Sequence, residues 1–198
     1  EEIIHTDKLG PFRIRPVILI TEHWKDKVSN DHIEDYKQTI LETLKEVQAW
    51  YAQKLDGHTF IINEQDFMVV TEGPDTVEIP GEYNFGTGYF YEYLDKVGFF
   101  DSMKDEIPVM WALSEEEKEF GLGGKMGYTV TKDGKHLLYG PSVWMNLPNL
   151  LSLSNKSNPI TRDISLSILA HELGHSFGLM GSGWSTEHSC SEVTPRNC

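Results

Sequence analysis

A chain of 198 residues is long enough for one substantial domain with its own hydrophobic core. Its apolar content of 39% and charged content of 24% are those of a globular protein that dissolves in water, and its apolar runs, such as residues 17–20, are far too short to cross a bilayer. A net charge of −14 argues against nucleic acid and anionic membrane surfaces as partners.

Residues 12–20 predict a strand, whose unbroken apolar end suits a sheet position buried on both faces. Residues 31–55 predict a long helix: Ile33, Tyr36, Ile40, Leu44, Val47, Tyr51 and Leu55 recur at steps of three and four and make one apolar stripe. Asn30 or Asp31 is expected to cap its start, and Gly57 follows its end. Residues 58–62 and 67–70 predict two further strands, so that strand, helix and strand form a crossover unit of an α/β sheet.

Residues 73–88, with two prolines and four glycines, read as loop, and 89–97 carry helical spacing. Residues 107–113 predict another strand, and Ser114-Glu-Glu-Glu117 is a capping box opening a short helix to Phe120. Within the glycine-rich stretch 121–140, Lys132-Asp-Gly-Lys135 predicts a hairpin turn and residues 136–139 the returning strand. Residues 142–146 predict a strand, and 147–159, rich in Asn, Ser and Pro, a loop. This loop holds the glycosylation sequon Asn155-Lys-Ser157. The absence of repeats or an interior linker implies one domain over 1–198.

Thr161 or Asp163 is expected to cap a helix reaching about Phe177, which carries His171-Glu172-Leu-Gly-His175. Residues four apart share a helix face, so His171 and His175 can aim their imidazoles at one point and supply half of a tetrahedral zinc site. Glu172 stands beside that point, placed to take a proton from a metal-activated water. The chemistry these residues predict is zinc-assisted hydrolysis, with His171 and His175 as ligands and Glu172 as general base. His5, His23, His32, His58 and His136 have no paired spacing and are read as surface or core histidines. Cys190 and Cys198, eight apart, fit either a local disulfide in an exported protein or two free thiols.

With Gly178, residues 171–178 resemble the signature of the metzincin metallopeptidases, His-Glu-x-x-His-x-x-Gly-x-x-His, in which the glycine bends the chain so that a third histidine returns to the metal. Gly181 stands where that histidine would be. The resemblance, tight over 171–178 and loose over the rest, implies an α/β fold with a twisted mixed sheet, a long helix and an active-site helix. Residues 1–178 would form an upper subdomain and 179–198 the start of a lower one. It implies a zinc endopeptidase with Zn2+ as cofactor, a protein or peptide substrate, no membrane insertion, a monomeric state and a secreted or extracytoplasmic location. His188, beyond the stretch 181–186 and followed by Cys190 as in adamalysin-like members, is the expected third ligand. Glu187 and Glu192 are the alternatives, and would make the site similar to that of gluzincins. A catalytically inactive binding module on the same scaffold is the other reading that Gly181 leaves open. The family places a methionine-containing turn after the third ligand; no methionine follows Met180, so the chain is expected to continue past Cys198. Substrate is expected to pair along an edge strand at residues 123–128.

Overall fold

The apolar run at residues 17–20 becomes part of an interior strand of a sheet. The computed structural model describes residues 12–21, 24–73, 98–99, 106–113, 123–125, 128–132, 135–139 and 142–178. Its elements in chain order are β1 (Arg13–Thr21), α1 (Asn30–Lys54), β2 (Ile61–Ile62), β3 (Met68–Gly73), β4 (Ile107–Leu113), β5 (Gly123–Lys125), β6 (Tyr128–Lys132), β7 (Lys135–Tyr139), β8 (Ser142–Asn146), α2 (Leu147–Ser154) and α3 (Pro159–Ser176).

The main sheet runs β2-β1-β4-β8-β5, with β3 continuing beside β1 past the end of β2. Every pairing in it is parallel except β5 on β8. The chain is therefore α/β with a mostly parallel, mixed sheet. β6 and β7 form a separate antiparallel pair in which Lys132 is in register with Lys135; the turn residues Asp133 and Gly134 lie outside the described residues.

Side chains alternate across a strand, and the core follows that period. Ile14, Ile18 and Ile20 of β1, Val109, Trp111 and Leu113 of β4, and Val143 and Met145 of β8 gather in one cluster with Ile40, Leu44, Val47 and Tyr51 of α1, Leu150 of α2, and Leu169 and Leu173 of α3. Val17, Leu19, Met110, Ala112 and Trp144, of the opposite parity, are buried too. Burial on both faces explains why these strands read as unbroken apolar runs. Each fully buried aliphatic side chain contributes about 1.5–3 kcal/mol relative to exposure.

Several boundaries differ from the sequence expectation. Ser29, not Asn30 or Asp31, caps α1: its hydroxyl accepts from the His32 N–H at 3.2 Å. At the other end Leu55 leaves the apolar stripe and is exposed, while Gly57, at φ +92°, turns the chain away. The strand expected over 58–62 shrinks to β2, because the preceding residues bond to the helix instead. Thr59 Oγ1 donates to the Gln48 carbonyl at 2.9 Å, and Gln48 Nε2 donates to the Phe60 carbonyl at 2.6 Å.

The expected loop over 147–159 contains α2. Asn146 caps it by accepting from the Asn149 N–H at 3.1 Å, and Pro148 sits in the first turn, where its missing N–H costs nothing. Helix α3 starts at Pro159 and is capped by Asn158 rather than by Thr161 or Asp163. The strand expected over 67–70 extends to Gly73, and the stretch 123–128 divides between β5 and β6. The helices expected at 89–97 and 114–120 lie outside the described residues. Among the described residues, no helix is long and apolar enough to cross a membrane.

Candidate functional site

Helix α3 is held from several sides, and the anchors converge on the turn that carries the histidines. Ser165, Leu169, Leu173 and Ser176 are buried along one face. At about 100° per residue, His171 and His175 lie about 200° from Leu169 and Leu173 respectively, on the other side of the helix. Glu172 falls between the two faces. His171, Glu172 and His175 are each half-buried.

The two imidazoles meet as their spacing predicts. His171 Nε2 and His175 Nε2 are 3.0 Å apart, and the rings stand nearly perpendicular, at 82°, with centroids 4.6 Å apart. Two zinc-bound nitrogens at tetrahedral angles are separated by about 3.3 Å, so a shift of about 0.3 Å converts one arrangement into the other. Two imidazole nitrogens 3.0 Å apart, with a carboxylate residue adjacent in sequence, suit a borderline-soft divalent cation such as zinc. The pair fits half of a tetrahedral site.

The anchors come from three other elements. Tyr51 Oη of α1 donates to the carbonyl of Ala170, the residue before His171, at 2.6 Å. Burial pushes the Tyr51 phenol above its ordinary range, so it stays a neutral donor. Ser165 Oγ donates to Asn149 Oδ1 at 3.1 Å, and Asn149 Nδ2 donates to Asn146 Oδ1 at 2.6 Å, which connects α3 through α2 to the end of β8. Ser176 Oγ donates to the Ser142 carbonyl at the start of β8 at 3.0 Å. On the solvent side Arg162 holds Glu46 of α1 through both terminal nitrogens.

Beyond the histidines, Phe177 fixes the end of α3. Its ring stacks on Phe12 at 4.8 Å and meets Phe60 at 5.5 Å and Tyr51 at 5.7 Å. Gly178 then takes φ +72°, the left-handed conformation that bends the chain out of the helix. The bend expected there is present. Sequence reading put Tyr51 in the apolar stripe of α1 and missed its hydroxyl bond; a buried tyrosine's need for a polar partner was the available signal. Asn146, Asn149 and Ser165 were missed because nothing in local spacing marks a network spanning three elements.

Among the described residues, no three His, Cys, Asp or Glu side chains form a metal-holding group. His188, Glu187, Glu192, Cys190 and Cys198 lie outside the described residues. Among the described residues, β5 ends the strand order beside β8, and it contacts α3, which puts residues 123–125 next to the histidine helix. No protein-family model matches the chain, and no curated protein is significantly similar to it.

Proposed function

We propose that the chain is a zinc-dependent endopeptidase of metzincin type. The observation that carries this reading is the convergence of His171 Nε2 and His175 Nε2 at 3.0 Å on a helix that ends at a left-handed Gly178. A zinc ion bound there would act as a Lewis acid, polarising the scissile carbonyl and acidifying a water. His171 and His175 would hold it, with His188 as the third ligand and Glu187 or Glu192 as the carboxylate alternatives. Glu172 accepts the proton of the attacking water and later delivers it to the leaving amine. β5 supports the reading further: among the described residues it ends the strand order beside the site, and an edge strand can pair with an extended substrate backbone.

The test is zinc content and turnover on the purified, zinc-loaded chain. One zinc per chain is expected, lost in His171→Ala and His175→Ala and retained in Glu172→Gln. Cleavage of a mixed peptide library should fall about 10²–10⁴-fold in Glu172→Gln. His188→Ala should lose zinc while Glu187→Ala and Glu192→Ala keep it; the reverse pattern makes the third ligand a carboxylate. A fully zinc-loaded chain that leaves the library uncut refutes the peptidase.

A further inference from the structure

The sequon Asn155-Lys-Ser157 occurs once in the chain and has no part in the zinc site. It lies in the connection between α2 and α3, where residues 154–160 are all exposed. Asn155 Oδ1 accepts two hydrogen bonds from the residue two positions on: Ser157 Oγ donates at 2.6 Å and the Ser157 N–H at 3.2 Å. That closes an Asx-turn in which the side-chain carbonyl takes both bonds. The amide nitrogen, Nδ2, keeps no hydrogen-bond partner among the described residues and is left free to react.

The side chain of the middle residue reaches α1, where Lys156 Nζ bonds Glu42 at 3.0 Å. Hydrogen bonds to the carbonyl oxygen make the amide N–H more acidic, which eases the loss of the proton that N-glycosyl transfer requires of an asparagine. Asn155 is also remote from the histidines. The helix cap at Asn158 and His171 are 13 positions apart, about 20 Å along α3 at 1.5 Å per residue. A bulky glycan at Asn155 would project from the end of the helix opposite the site.

We propose that Asn155 is an N-glycan acceptor when the chain passes through a eukaryotic secretory compartment. The co-reactant is an oligosaccharide carried on a lipid diphosphate. Asn155 Nδ2 attacks the anomeric carbon, the bond from that carbon to the phosphate oxygen breaks, the lipid diphosphate departs, and the amide proton passes to a base. The modification is independent of whether the chain is a peptidase.

The experiment fuses the chain to a eukaryotic signal peptide and compares wild type, Asn155→Gln, Ser157→Ala and Ser157→Thr. Intact mass is read on both the secreted and the retained pools, so poor export does not hide the result. Wild type should carry one oligosaccharide whose removal by peptide N-glycosidase leaves aspartate at position 155. Ser157→Thr should carry at least as much, and Asn155→Gln and Ser157→Ala none. An unmodified wild type in both pools, or a glycan that survives Asn155→Gln, overturns the proposal.

Discussion

Tyr51 offers the sharpest test of how the histidine helix is held, because its two roles separate by substitution. Its ring is 5% exposed and contacts Phe60 and Phe177, while its hydroxyl makes a single bond to the Ala170 carbonyl. Tyr51→Phe keeps the ring and removes only that bond. A carbonyl within the helix interior keeps its helical donor, so the loss should stay near about 1 kcal/mol. Tyr51→Ala removes the ring as well and opens a cavity among aromatics, at about 3–5 kcal/mol. With a urea slope of about 2 kcal/mol per molar, the midpoints should fall by about 0.5 M and about 2 M respectively. The phenol adds an alkaline signature. Its pKa is raised by burial above the ordinary value of 10.0, so the folded state keeps a proton that the unfolded chain releases. That contribution is complete below pH 10 and declines as pH rises beyond it; Tyr51→Phe should flatten the decline. Equal midpoint shifts for the two variants would refute the division between ring and hydroxyl, and an unchanged alkaline slope in Tyr51→Phe would refute the neutral buried phenol.

Three further outcomes are expected. Gly178→Ala forces a Cβ into φ +72° and should cost about 1–2 kcal/mol by urea unfolding, with Gly178→Asn closer to wild type because asparagine tolerates the left-handed region. Asn146→Ala removes the cap of α2 and strands both Asn149 donors in a buried site, so it should cost about 2–3 kcal/mol, measured the same way. Arg162→Ala breaks a bidentate pair with a half-exposed Glu46, whose side chain is 51% exposed, and should cost about 1 kcal/mol or less, a loss that shrinks in high salt.

What was legible in the sequence is what a period can carry. The stripe on α1 and the i, i+4 pairing of His171 with His175 each follow from one repeat of the backbone, and the unbroken apolar runs of β1 and β4 mark strands buried on both faces. α2 was not legible on the same terms. Its eight residues hold Leu147, Leu150 and Leu153 at helical steps, but Asn, Ser and Pro surround them and give the composition of a loop. A helix that short is marginal by itself and stands because Asn146, Asn149 and Ser165 tie it to its neighbours. The shortened β2 has a similar cause: the Gln48 side chain, ten residues or more upstream, takes the Phe60 carbonyl that a local reading assigns to the sheet.

The same distinction bears on the proposed third zinc ligand. Periodicity carries position reliably from His171 to His175 because the helix between them is one rigid turn. At Gly178 the helix ends and the period with it. Ten residues separate Gly178 from His188, a span of up to about 33 Å, so Glu187, His188 and Glu192 all lie within reach of the histidine pair. Chain length therefore does not choose among them, and donor chemistry does. In the proposed site the two imidazoles would set its character, and a zinc ion would accept a third imidazole or a carboxylate there with one position left open for water. Comparing zinc retention across the three alanine variants reads that choice directly, since only the true ligand's loss removes a bond to the metal.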